Sequence, residues 1–245
     1  MTIGTAEARS LCDLLARLYQ KQAELGGNNY LTHHGHPEVI RHHVNVFGWY
    51  LPHLGESPTV LDWGCNHGPD SCLLRATFNE RLDLHACDFP PESEFQVFRA
   101  FSRPQYRQLK GATDLPYPDE MFDIVVASGV LEHTAMDQEA LKGVYRILKP
   151  HGLLALSYLP YRKSLTEWRQ RRRGEGHRRL YDWNETATLL KRHGFYSIDL
   201  RFQTFVPDIV GGARRTLFHR LHAAVRYPWF THNALCCAAR KVIVM

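Results

Sequence analysis

An open, mainly parallel α/β sheet covered by helices on both faces is the fold class this sequence predicts, and three observations predict it. From Val60 onward, short apolar runs rich in β-branched residues alternate with stretches of helical period. The first of those runs, Val60-Leu61-Asp62-Trp63, leads through a glycine-bearing turn into a helix, the opening of a doubly wound sheet. The chain has 245 residues, 44% of them hydrophobic, which suits one ordinary core with additions, and it holds no internal repeat or low-complexity tract that would argue for two independent domains.

Two helices, residues 6–25 and 38–50, precede the sheet, with the glycine- and histidine-bearing stretch 26–37 between them; together they make an N-terminal helical cap, residues 1–52. The remainder, residues 53–245, carries seven strands at 59–63, 82–87, 106–109, 122–127, 152–158, 197–205 and 235–244. Helices at 70–78, 94–101, 137–148 and 184–193 fall between them, the last closed by Gly194. Two additions interrupt this pattern. A basic insertion, residues 160–181, follows the fifth strand. An excursion at 207–232 precedes the last strand, and there Leu217, Phe218, Leu221 and Val225 recur near helical spacing, which predicts a helical lid.

Composition narrows the function classes. The longest apolar stretches, 124–127 and 152–156, fall far short of the run of about 20 needed to span a bilayer. Residues 1–10 lack the basic, apolar and small-residue pattern of a secretory signal, so a cytoplasmic protein is expected. Cys12, Cys65, Cys72, Cys87, Cys236 and Cys237 show no C-x-x-C spacing and read as free thiols. The net charge of +5 is concentrated, with Arg162, Lys163, Arg169, Arg171, Arg172, Arg173, Arg178 and Arg179 in one short segment. The bland readings are a solvated helix end or a loop held by surface salt bridges; the functional reading is a clamp for a phosphate or carboxylate on a small-molecule substrate. Aromatic stacking positions are not evident in that segment, so nucleic acid is not the expected partner. The arginines of the 207–232 excursion, with Trp229 and Phe230, also suit a membrane surface, although such an excursion more often covers a pocket.

Chemistry becomes readable in Val60-Leu61-Asp62-Trp63-Gly64-Cys65-Asn66-His67-Gly68. Gly64 permits backbone angles closed to other residues and leaves a ligand unobstructed; Gly68 allows close packing at the start of the next helix, whose amides favour a carboxylate. Asp88, at the end of the second strand and about 20 residues past Gly68, stands where this Rossmann-like architecture places an acid for ribose hydroxyls. A dinucleotide is disfavoured, because G-x-G-x-x-G is not met: Asn66 takes the middle position and Pro69 follows Gly68.

VLDWGCNHG resembles the first motif of class I S-adenosylmethionine-dependent methyltransferases. GATDLPYPDEMFDIVVASGVLEHT and RILKPHGLLALS are similar to later motifs of the type 11 group, so the resemblance covers approximately residues 60–158. It implies S-adenosyl-L-methionine as methyl donor and S-adenosyl-L-homocysteine as product. It implies that Asp62 and the Gly64, Cys65, Asn66, Gly68 loop hold the methionyl and ribose parts, that Asp88 meets the ribose hydroxyls and that Phe89 packs on the adenine. It further places Gly111, Ala112 and Thr113, followed by Asp114, at the adenine edge, and Ser128 and Gly129 beside the cofactor. Two positions depart from the family. Asn66 replaces the middle glycine, and Gly111 replaces an acid, which removes an adenine contact or passes it to Asp114.

The resemblance does not name the acceptor. The expected function is methyl transfer to a small polar acceptor, foremost O-methylation of a sugar or related metabolite. Carbon or nitrogen methylation of a small or lipid-linked metabolite is the alternative, and a catalytically inactive cofactor-binding partner protein is the alternative of a different class. A hydroxyl acceptor needs a base, and His133, just past the fourth strand, is the candidate catalytic residue, with His34 and His36 in reserve. The bland reading of Glu132-His133 is a helix cap or a loop tie. The cluster His33-His34-Gly35-His36 with His42-His43 lacks a ligand spacing, so no metal is expected.

Overall fold

The structure is a computed structural model that describes residues 3–26, 29–111, 113–134, 136–174, 176–177, 179–203 and 234–242. Seven described strands form one sheet: β1 (Thr59–Trp63), β2 (Asp83–Asp88), β3 (Gln105–Gln108), β4 (Phe122–Ser128), β5 (Leu148–Pro160), β6 (Phe195–Gln203) and β7 (Ala234–Lys241), in spatial order β3-β2-β1-β4-β5-β7-β6. The first five are parallel to their neighbours, whereas β7 runs antiparallel to both β5 and β6. The chain winds outward from β1 through β2 to β3, then returns to place β4 on the other flank of β1. That reversal opens a crevice at the carboxyl ends of β1 and β4, where open α/β sheets receive ligands.

Apolar clusters cover both faces. One joins Leu141, Val144 and Ile147 of helix α6 (Asp137–Ile147) and Leu190 of α8 (Trp183–Arg192) to Leu61, Val125 and Leu154 of the sheet. The other joins Leu73 and Phe78 of α4 (Pro69–Phe78) and Phe98 of α5 (Gln96–Ser102) to Val60, Ile124 and Leu153. Helices α1 (Thr5–Gly26) and α3 (Pro37–Tyr50) belong to this second cluster through Leu11, Leu15, Leu18, Val44 and Phe47. The N-terminal segment is therefore an outer layer of the main core as well as a cover for the crevice. Leu15 and Phe47 are wholly buried, worth about 1.5–3 kcal/mol each.

Three differences from the sequence reading have local causes. A short helix, α2 (Asn29–His34), forms inside the stretch expected to separate two helices, anchored by buried Leu31. Helix α7 (Leu165–Arg172) forms inside the basic insertion, where the Ser164 hydroxyl accepts the Glu167 N–H at 3.3 Å, half of a capping box spelled by Ser164-Leu165-Thr166-Glu167. Strand β5 starts directly after α6 and passes Pro150-His151-Gly152 with a register shift against β4, so residues that read as a turn are its irregular beginning. The 207–232 lid lies outside the described residues. Among the described residues, no helix is long and apolar enough to cross a membrane.

Candidate active site

Strand β1 delivers its carboxyl end into a left-handed turn: Gly64 has φ 66°, Asn66 φ 45° and Gly68 φ 83°. The Gly64 N–H donates to the Cys87 carbonyl at 2.8 Å, tying the turn to β2. A Cβ on Gly64 would fall 2.5 Å from Cγ2 of Val130, so the turn passes against the loop after β4 with no room for a side chain. Asn66 takes the left-handed backbone that asparagine tolerates, and its N–H donates to Asp88 Oδ2 at 2.6 Å. Asp88 Oδ1 accepts the Phe89 N–H at 2.7 Å, so this carboxylate staples the β1 turn to the end of β2 and retains lone pairs for a ligand.

Arg99 of α5 is buried beneath the turn. It donates to the Asn66 carbonyl at 2.5 Å and to Cys65 Sγ at 3.3 Å and lies 4.5 Å from the Tyr106 ring centroid. A Cβ on Gly68 would come within 2.9 Å of Arg99 Nη1, which gives Gly68 its physical reason. Nothing in the linear motif announces this arginine.

Behind the turn lies a buried polar network. Asp62 accepts from the Ser71 N–H at 3.1 Å and the Ser71 hydroxyl at 2.6 Å. Burial, followed by the charge of Asp70, pushes its carboxyl up to about 7. Asp70 accepts from the Tyr50 hydroxyl at 2.6 Å and the Ser128 hydroxyl at 2.7 Å, and meets His43 Nε2 at 3.1 Å. Burial works against the ionised Asp70, but His43 and these hydrogen bonds outweigh it and hold the carboxyl below its ordinary value. Burial likewise opposes a charged His43, and Asp70 outweighs it, holding the imidazole above its ordinary value. His43 Nδ1 lies 3.0 Å from the Tyr158 hydroxyl, so the network runs from α4 through α3 to β5.

These groups wall one cavity of about 880 Å³, within the range of small-molecule sites. Asp62, Gly64, Cys65, Asn66, Ser128 and Gly129 are among its lining residues, as are Glu132, His133, Glu167 and His177; Arg169 of α7 and Arg173 just past its end also line it. His133 sits on a 3₁₀ turn, Leu131–His133, with its side chain 69% exposed and Nε2 4.0 Å from Glu132 Oε1. Burial, then neighbouring His177, lowers its pKa. The His177 imidazole, Nδ1 2.7 Å from Glu167 Oε1, is raised by that contact.

The remaining expected residues divide. His34 lines the cavity against Tyr30, and burial, with the nearby His33 and His43, pushes its pKa down to about 4. His36 is not among the lining residues; its Nδ1 accepts the Glu38 N–H at 3.4 Å as the cap of α3. Gly68, Asp88 and Phe89 stand behind or beside the turn, outside the lining, with Phe89 half exposed. Gly111 and Thr113 follow β3 in a turn in which the Asp114 N–H donates to the Gly111 carbonyl at 3.3 Å; Ala112 lies outside the described residues. The six cysteines are free thiols. Sequence reasoning missed Arg99, Asp70, Tyr158, Glu167 and His177, and named His43 only as part of the histidine cluster. Only Glu167 had a local signal, the capping box.

A methyltransferase-domain family model matches residues 6–200. The chain is 28% identical over 184 residues to an arsenite methyltransferase of Aquipseudomonas alcaligenes, covering 65% of this chain and 50% of that protein. It is 30% identical over 150 residues to the 27-O-demethylrifamycin SV methyltransferase of Amycolatopsis mediterranei, covering 54% and 52%. The chain thus spans about half the length of these relatives. Among solved structures, its fold is similar to that of an S-adenosylmethionine-dependent methyltransferase from Archaeoglobus fulgidus, with a TM-score of 0.62 at 16% identity, covering 87% of this chain and all (100%) of that one.

Proposed function

The chain belongs to the class I S-adenosylmethionine-dependent methyltransferase family, and on that premise we propose that it methylates an oxygen of a small, polar acceptor such as a sugar or related metabolite. The observation that carries this reading is the single cavity that joins the β1 turn to a wall of imidazole, carboxylate and arginine side chains.

The residues present fit the donor. Asp62 on the cavity wall would meet its cationic groups, and Asp88 has lone pairs left for ribose hydroxyls. A Cβ on Gly129 would find only Glu132 Oε1, at 3.6 Å, so the space beside that backbone is open. When bound, S-adenosylmethionine would supply a sulfonium methyl carbon that a nucleophile attacks in line, the departing thioether sulfur keeping the bonding pair.

The chain's own residues then orient and exclude. Asp88 and Arg99 fix the turn from either side, so the carrier of the methyl is held by a preorganised loop. The acceptor's proton leaves at the Glu132, His133 and His177 wall, with His133 the group expected to act there. Arg169 and Arg173 are the cations of the basic segment that face the cavity, and they suit an anionic acceptor. Among the described residues the others are engaged elsewhere: Arg162 with Glu185, Lys163 with Asp182, Arg179 with Asp137, Arg171 with the His177 carbonyl and Arg172 over Trp168. The 27-O position in the name of the rifamycin relative supports an oxygen acceptor.

Calorimetric titration with S-adenosylmethionine, followed by a screen of acceptors for S-adenosylhomocysteine release, tests the reading. A parent protein that binds no donor refutes it. Binding without release from any hydroxylated, amine or activated-carbon acceptor would instead leave a cofactor-binding partner protein. His133→Ala should cut kcat about 100-fold or more, the lower end of what a proton-handling group contributes.

A further inference from the structure

We propose that Glu132, His133 and His177 form a binding site for one divalent cation, Mn²⁺, Fe²⁺ or Zn²⁺ in character, in the wall of the acceptor end of the cavity. The proposal rests on the methyl-transfer reading and deepens it at the acceptor end, where His133 becomes a cation ligand in place of the group that takes the proton. Each of the three side chains offers one ligand atom, and these atoms lie within 4.8 Å of one another. Ligands about 2.1 Å from a common ion stand roughly 3–4.2 Å apart, so rotations of the exposed His133 and half-buried His177 side chains would close the set.

Two independent observations point to a cation. The Glu132 side chain is 3% exposed, and its Oε2 has no hydrogen-bond partner among the described residues. A buried carboxylate oxygen without a donor is costly, and a metal ion is one of the few partners that removes the cost. The second is the bond between His177 Nδ1 and Glu167 Oε1, 2.7 Å long, with the Glu167 side chain 6% exposed. A carboxylate on one ring nitrogen fixes the imidazole and leaves Nε2 for a metal, the usual support of a histidine ligand. Glu167 is held in turn at the start of α7 by Ser164, and it also accepts the His177 N–H at 3.4 Å.

Two imidazoles and one carboxylate favour a borderline cation over Ca²⁺ or Mg²⁺, which take all-oxygen sets. Three protein ligands leave positions open for water or for an acceptor oxygen from the cavity. His133 then serves as a ligand, and the cation weakens the O–H bond of a coordinated hydroxyl, whose proton passes to solvent. This site is separate from the 33–43 histidines, which lack the spacing of a ligand set.

The test uses the full chain, free of purification tags, treated with chelator and dialysed, then titrated with Mn²⁺ followed by its paramagnetic resonance signal, and with Co²⁺ followed by visible absorption. One Mn²⁺ or Co²⁺ per chain is expected. His133→Asn and Glu132→Gln should abolish that binding, and Glu167→Gln should weaken it about 10–100-fold. His133 is largely exposed, so its variant keeps the test decisive if Glu132→Gln fails to fold. No binding of either ion by the parent up to about 1 mM, or equal binding by parent and His133→Asn, overturns the site. S-adenosylmethionine binding is measured on the same samples: donor binding without metal binding removes the cation site alone, and metal binding without donor binding upholds the site while removing the methyl-transfer reading.

Discussion

Replacing Gly64 with alanine puts a methyl group where the β1 turn meets Val130, and the structure sets the size of the effect. At φ 66° a non-glycine residue costs about 1–2 kcal/mol. The new Cβ would lie 2.5 Å and 2.9 Å from the two Val130 methyls, and relieving such overpacking costs about 1–3 kcal/mol more. The sum, about 2–5 kcal/mol, is large against ordinary domain stability and should lower Tm by roughly 2–4 °C per kcal/mol in a chain of this size. Val130→Ala removes the steric part and leaves the backbone part. In a double-mutant cycle by urea unfolding, the pair should therefore show a favourable coupling of about 1–3 kcal/mol. Titration with S-adenosylmethionine adds a functional readout, because a displaced Val130 or turn alters the cavity wall. A Gly64→Ala cost below about 0.5 kcal/mol, or a coupling within the additivity error of about 0.5 kcal/mol, would refute this account of the turn.

Three further outcomes follow from the network around that turn. Asp88→Ala strips the acceptor from the Asn66 and Phe89 amides, and donor Kd by calorimetry should rise about 10–100-fold, corresponding to the 1.5–3 kcal/mol of a charged hydrogen bond. Asp62, raised to about 7 by burial and by Asp70, is about half protonated at pH 7 in the ligand-free protein; a cationic donor favours its ionised form, so binding should release up to about half a proton at pH 7 and tighten from pH 5 to 8, as read from calorimetry in buffers of different ionisation enthalpy. His43 is held above the ordinary imidazole value despite burial, and Asp70 below the ordinary carboxylate value despite burial. The stability of their contact is therefore complete between the ordinary carboxylate and the ordinary imidazole values, lost as pH rises from there through the raised His43 value and lost as pH falls through the lowered Asp70 value. Urea midpoints of parent and His43→Gln should converge toward alkaline pH, and a gap that stays constant to pH 9 would dismiss the pairing.

Legibility in the sequence followed the range of the interactions. Strand β1 was readable to the residue, since an unbroken apolar run ends at a glycine turn, both being local properties. The meeting of the β1 turn with Asp88 was readable because the two sit at the ends of consecutive strands, where spacing along the chain reports position in space. The rest of the cavity wall was not. His43 meets Asp70 across 27 residues, His177 meets Glu132 across 45, and Arg99 reaches under a turn more than 30 residues away. No periodicity encodes such meetings. Helix α7 was missed for a different reason: a run of arginines suggested a solvated segment, and the capping box at Ser164 went unread.

The placement of β7 between β5 and β6 has a consequence for biosynthesis. Strand β5 leaves the ribosome long before its neighbour, because residues 161–233 must be made first, and β6 has no partner within the described sheet other than β7. Until Ala234–Lys241 arrives, the nascent chain carries one bare strand edge and one strand with nowhere to dock, both templates for pairing with another molecule. A chain stopped at residue 233 keeps the whole β1 turn, yet it is expected to aggregate, while the eight residues of β7 join two unfinished halves in a single late zippering step.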